Sequence, residues 1–216
     1  HNPTGRVLTP DELRAIAAIC VEHDLVAVTD EVYEHLVFDG EHIPLATLPG
    51  MAERTLTISS AGKSFSFTGW KIGWCSGPPQ LVAGVRAAKQ FMSFAGATPL
   101  QHAVAAALAD AERHVAPLRA SLRANRDSLC AGLAAAGFGV SVAQGTYFVV
   151  ADVAPLGVQD AVAWCRELPD RAGIVAIPVS AFYDDAQAGR TLVRFAFCKR
   201  AAVIDEAVRR LAGLGD

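Results

Sequence analysis

The chain has 216 residues, of which 52% are hydrophobic and 19% charged, with a formal net charge of -3. That is enough apolar material for one good core or two small ones, and it excludes a disordered chain. The small net charge supplies no basic field for nucleic acid or anionic lipid, so the partners expected are small molecules.

The chain opens at His1-Asn2-Pro3-Thr4-Gly5, without an initiator methionine and directly into a turn motif, which predicts the later portion of a longer polypeptide. Thr9-Pro10-Asp11-Glu12 then combines a capping threonine, a first-turn proline and a glutamate three residues after the cap. With Leu13, Ile16, Ala17 and Cys20 at helical spacing, this predicts a helix over 10–23. The continuous apolar run Leu25 to Thr29 predicts a strand buried on both faces, as in a parallel sheet. Arg54 to Ser59 and Ile72 to Ser76 predict two more strands, the second closed by Gly77-Pro78-Pro79, with a helix following to about Met92.

From Pro99 to Ala136 the composition is alanine-rich, with leucines and arginines at helical spacing, predicting a long helix broken once near Pro117 and ended by Gly137. Arg119, Arg123 and Arg126 are expected on its solvated face. Strands over 139–142, 147–150, 173–177 and 192–197 alternate with helices near 160–167 and 201–211, which predicts a small α+β domain. The expected division is 1–98 for part of a large α/β domain, 99–136 for an interdomain helical segment and 137–216 for the small domain. No apolar run approaches the ~20 residues that a membrane-spanning helix needs. Cys20, Cys75, Cys130, Cys165 and Cys198 are odd in number and never paired as CxxC, so most are expected to pack in the core of a cytoplasmic protein. The six histidines show no metal-ligand spacing, and no metal is expected; His35 and His42 read as surface groups.

In a parallel α/β sheet, ligands gather beyond the carboxyl ends of the strands. Two places qualify. Asp30 directly follows the first apolar run and is trailed by Glu31 and Tyr33; from position alone it reads more readily as a helix cap. Ser59-Ser60-Ala61-Gly62-Lys63 follows the second, with small residues leaving room beside a lone lysine. Such a lysine is either a solvated charge or, in a dry pocket, an amine able to attack a carbonyl. Arg194, in the apolar run Leu192 to Phe197, reads as a buried ion-pair partner or as a carboxylate receptor. No GxSxG nucleophile elbow is present.

In order along the chain, Asn2-Pro3-Thr4-Gly5, Asp30-Glu31-Val32-Tyr33, Ser60-Ala61-Gly62-Lys63-Ser64-Phe65, Thr68-Gly69-Trp70-Lys71-Ile72-Gly73-Trp74 and Val193-Arg194-Phe195 resemble the signature of class I/II aminotransferases. Met51-Ala52-Glu53-Arg54 and Phe197-Cys198-Lys199-Arg200 resemble the succinyldiaminopimelate branch, close to the kynurenine and glutamine transaminases. The resemblance implies fold type I, with a mostly parallel sheet in a partial large domain, a small C-terminal α+β domain, a homodimer, and pyridoxal 5′-phosphate as cofactor. Lys63 would hold the cofactor as a Schiff base and, once displaced, shuttle the proton at the substrate's α-carbon. Asp30 would pair with the pyridine nitrogen, Asn2 and Tyr33 would donate to the phenolic oxygen, and Ser60 and Lys71 would bind the phosphate.

Arg194 would clamp the α-carboxylate of the amino acid and 2-oxo acid substrates. Thr146 departs from a family Gly-Gly-Tyr-Phe pattern and is expected to narrow the pocket, with Tyr147 as wall; Trp70 and Trp74 are expected to pack. The ring-stacking aromatic and the phosphate loop of the family precede its Asn-Pro-Thr-Gly motif, so exposed apolar sheet surface is expected here, and the chain by itself is expected to be inactive. A carbon-sulfur β-lyase of the same fold and an aminotransferase-like domain of a transcription regulator are the alternatives.

Overall fold

Helix α1 (Pro10–Glu22) begins where its capping signature puts it. The Glu12 amide donates to Thr9 Oγ1 at 3.3 Å and the Thr9 amide donates to Glu12 Oε2 at 2.9 Å, a reciprocal cap of about 1 kcal/mol. The computed structural model describes residues 1–214, so the last two residues of the expected 137–216 range lie outside the described residues. The chain divides into two units, Val7–Arg119 and His1–Arg6 with Ala120–Asp216. That division falls at 119/120 and joins residues 1–6 to the later unit, where the sequence reading had boundaries at 98 and 136.

In the unit Val7–Arg119, strands β1 (Ala27–Asp30), β2 (Thr55–Ser60) and β3 (Gly73–Ser76) form one sheet in that order. β1 and β2 run parallel, whereas β3 returns antiparallel to β2, so parallel pairing holds for one of the two ladders. Between β2 and β3, helix α2 (Ala61–Ser64) and a 3-10 turn (Thr68–Trp70) fold the chain back on itself, and the Ala61 amide donates to the Ile72 carbonyl at 3.1 Å where the two strands meet. β1 is not buried on both faces. Val26 and Val28 are 54% and 62% exposed, and Ile58 on β2 is 38% exposed. Beneath α1, Leu13, Ala17 and Cys20 pack with Leu45 and Met51.

Helix α3 (Pro79–Met92) ends at Met92 as predicted, with Phe91, Met92 and Phe94 strongly exposed. The alanine-rich segment makes two helices, α4 (Thr98–Leu108) and α5 (Ala111–Ala135). The break falls at 109–110, and Pro117 is absorbed inside α5. A long helix tolerates one missing amide donor when its remaining turns are paired.

The other unit holds the antiparallel sheet β4 (Gly139–Ser141), β5 (Phe148–Asp152), β7 (Leu192–Ala196) and β6 (Ile177–Pro178), in that spatial order. With helices α6 (Ala161–Ala172) and α7 (Ala201–Ala212) it is the predicted α+β unit. The expected strand 173–177 shrinks to 177–178, because Gly173 closes α6 in the left-handed region (φ 65°) and Pro178 has no amide to extend the ladder. Arg126 is not on a solvated face. It is 4% exposed and donates to the Ala143 carbonyl at 2.7 Å, while Arg123 is exposed. Cys20, Cys130 and Cys165 are buried, Cys75 is half-buried and Cys198 is exposed; all five are free thiols. Among the described residues, no helix is long and apolar enough to cross a membrane.

Candidate active site

Strand register decides which residues share a sheet edge in the unit Val7–Arg119. Asp30, the last residue of β1, lies opposite Ile58, and β2 runs on to Ser60 in the same direction. The carboxyl ends of two parallel strands therefore share an edge. Lys63 sits in α2 immediately beyond Ser60, and Ser60 itself pairs with Gly73 at the start of β3. Lys71 precedes that start by two residues, so it belongs to the same edge.

The turn that carries Lys71 is seated closely on α2. A Cβ at Gly62 would lie 2.9 Å from Thr68 Cα, so only a glycine there admits the Thr68 backbone. Lys71 leaves the turn in the left-handed region (φ 54°). Asp30 and Lys71 are exposed, and Ser60, Lys63 and Tyr33 are half-buried. Asp30 Oδ1 accepts weakly from the Val32 amide at 3.4 Å, and Ser60 makes no capping bond to α2. The Glu31 amide extends the ladder to the Ile58 carbonyl at 2.8 Å, and the Glu34 amide returns to the Glu31 carbonyl at 2.9 Å; this turn carries Tyr33.

The histidines behind this turn are not surface groups. His35 and His42 are half-buried, and His42 Nε2 lies 2.7 Å from Glu31 Oε2. Thr29 Oγ1 donates to Glu31 Oε1 at 2.8 Å, and Ser59 donates to Glu34. Burial pushes the Glu31 carboxyl up, but the bonds from His42 and Thr29 and the charge of His42 outweigh it, and its pKa is lowered. Glu31, Glu34 and His42 bring one ligand atom each within 4.8 Å of one another, a grouping that the spacing of the histidines alone does not reveal. Open space of about 470 Å³ lies beside it, lined by Glu34, His35, His42 and Arg119 among others.

In the other unit, Arg194 occupies the middle of β7, opposite Val150 of β5 and Ile177 of β6. Its Nη1 donates to Asn2 Oδ1 at 2.9 Å. Residues 1–6 are held there because the Gln144 and Gly145 amides donate to the Gly5 carbonyl at 2.8 and 2.9 Å. Neighbouring Thr146 is 2% exposed at φ 70°, and its hydroxyl accepts from the Phe148 amide at 3.1 Å. It is thus turned onto its own backbone. Phe148 and Phe182 flank the Arg194 guanidinium at 4.0 and 5.0 Å from their ring centroids. Sequence reasoning singled out neither as functional, and Phe182 ends a short 3-10 turn that no periodic pattern marks. Trp70 lies against Phe67 with ring centroids 4.5 Å apart and is otherwise exposed.

The profile for aminotransferase class I and II matches residues 1–211. The chain belongs to this family. Its members depend on pyridoxal 5′-phosphate and share fold type I. A probable N-succinyldiaminopimelate aminotransferase, DapC, of Mycobacterium tuberculosis is 56% identical, over 100% of this chain and 57% of the relative. Kynurenine–oxoglutarate transaminase 3 of Rattus norvegicus is 41% identical over 96% of this chain and 50% of the relative. Among solved structures, the N-succinyldiaminopimelate aminotransferase of M. tuberculosis superposes with a TM-score of 0.96 at 58% identity, covering 99% of this chain and 56% of that one. A mutant aspartate aminotransferase of Thermus thermophilus gives 0.88 at 31% identity, covering 99% of this chain and 54% of that one. The chain thus spans about half the length of the relatives it matches.

Proposed function

We propose that the protein containing this chain transfers an amino group from an amino acid to a 2-oxo acid, with pyridoxal 5′-phosphate on Lys63 and N-succinyldiaminopimelate as the amino donor. The observation that carries the proposal is the sheet edge where a carboxylate (Asp30), a hydroxyl (Ser60), a primary amine (Lys63) and a second ammonium (Lys71) gather. That donor set suits the cofactor: an amine for its carbonyl, an acid for its ring nitrogen, and a hydroxyl and cation for its phosphate. The 56% identity to the DapC relative supports the choice of donor.

When bound, the cofactor supplies a carbonyl that takes the amino group and a ring that accepts the electron pair left at the α-carbon. Lys63 holds it covalently through its amine and, once released by substrate, moves the proton at the α-carbon. Asp30 keeps a proton on the ring nitrogen, without which the ring accepts electrons poorly. Asn2 and Tyr33 donate to the phenolic oxygen, and Ser60 and Lys71 bind the phosphate, the lysine as a point charge rather than a fork. Arg194 receives the substrate α-carboxylate in its planar guanidinium. The unit Val7–Arg119 serves as part of the large cofactor-binding domain and the other unit as the small domain. The free thiols fit a cytoplasmic protein. The exposed Phe91, Met92 and Phe94 fit a homodimer whose partner covers them.

Addition of pyridoxal phosphate to the complete protein, borohydride reduction and peptide mass spectrometry test the core of this proposal. The adduct is expected on Lys63, together with amino transfer from N-succinyldiaminopimelate to 2-oxoglutarate. An adduct on any other lysine overturns the assignment.

A further inference from the structure

Arg194 presents a flat, delocalised cation whose N–H groups all lie in one plane and point from its edge, while its two faces are weakly hydrated and stack on aromatic rings. A carboxylate is received by two parallel N–H groups in that plane, so the tilt of the plane decides whether the pair forms. Two rings lie against the guanidinium. Phe148 is 8% exposed and fixed in β5, with its centroid 4.0 Å from Arg194 Cζ. Phe182 stands 5.0 Å away, at the end of the 3-10 turn Val179–Phe182. At 47% exposure, Phe182 is not held by burial. Its turn is held instead by close approach to Gly189, where a Cβ would lie 2.8 Å from the Tyr183 ring and 3.0 Å from the Ser180 amide nitrogen.

We infer that Phe148 and Phe182 form an aromatic sleeve that sets the plane of the Arg194 guanidinium, which makes Phe182 a positioning residue for the substrate carboxylate. This rests on the reading of Arg194 as the carboxylate clamp. Phe182 acts through Arg194, so its loss weakens the grip on every carboxylate substrate and leaves the proton transfer at Lys63 alone.

The test uses the complete holoenzyme and three variants, F182L, F182Y and R194K, with N-succinyldiaminopimelate and 2-oxoglutarate as substrates. Glutarate, an unreactive dicarboxylate, serves as the binding probe. F182L is expected to raise KM for both substrates and Kd for glutarate by roughly two- to fivefold, the scale of a partly exposed cation–π contact, with kcat nearly unchanged. F182Y, which keeps the ring, restores wild-type values. If F182L changes neither KM nor Kd while R194K raises both, the sleeve is overturned and the Arg194 reading stands. If R194K also changes neither, the Arg194 reading fails and takes the inference with it. A drop in melting temperature and kcat together in F182L, unrescued by F182Y, makes the ring merely structural and overturns the inference as well.

Discussion

Replacing Arg126 with methionine exposes a chain of dependence that ends at Asn2. The Arg126 guanidinium donates to the Ala143 carbonyl at 2.7 Å, where both residues are buried. The next two amides, Gln144 and Gly145, hold the Gly5 carbonyl, and three residues before Gly5 stands the acceptor of Arg194. Methionine keeps the apolar stem but removes a charge-assisted hydrogen bond and leaves a buried carbonyl unpaired, at a cost of about 2 kcal/mol. At ~1.4 kcal/mol per factor of ten, that loss is a roughly 30-fold fall in hydrogen-exchange protection at the Gln144 and Gly145 amides. R123M, altering an exposed arginine on the same helix, is expected to change protection by less than about twofold. Exchange measured by mass spectrometry on the complete protein, with KM for a carboxylate substrate alongside, reads both ends of the chain. Equal protection in R126M and R123M would refute the reasoning, because burial and the Ala143 bond would then have no energetic weight.

The Glu31 carboxyl titrates below its ordinary 4.5 in the folded protein, so its contribution to stability is present above pH 4.5 and is lost as the pH falls through the depressed value. E31Q should flatten the acid limb of a stability-versus-pH curve, and an unchanged limb contradicts the pairing with His42. Burial pushes the Cys130 and Cys165 thiols up to about 11, so at pH 8 iodoacetamide is expected to label exposed Cys198 well before either. Labelling of Cys165 at the rate of Cys198, followed by peptide mass spectrometry, would contradict that burial. D30N should lower kcat by on the order of a hundredfold or more while pyridoxal phosphate still binds, as read from the cofactor's absorbance.

What could be read in advance was what local chemistry determines. The Thr9/Glu12 box starts α1, and Asp30 and Lys63 stand out because each follows an apolar run where parallel strands leave a crevice. What could not be read depends on partners far along the chain. Arg126 has the same helical spacing as exposed Arg123, and only the arrival of Ala143, 17 residues on, draws it inside. The break in the alanine-rich segment has no glycine to mark it, while Pro117, the conspicuous breaker, is accommodated. The exposed faces of Val26 and Val28 carry the composition of a strand covered on both sides, and composition records a covering without supplying it. The family resemblance reached the order of the motifs and includes Phe148 in one of them, whereas Phe182, the other ring beside Arg194, belongs to none.

The bond between Asn2 and Arg194 joins residues 192 positions apart. A ribosome adding roughly 5–20 residues each second needs on the order of ten seconds or more to make that stretch. Throughout that interval the first residues of this segment are finished while their partner strand has not been made. The Asn2–Arg194 bond is therefore among the last features of this segment that synthesis permits, and a nascent chain can form the sheet edge that carries Lys63 well before it can close that bond.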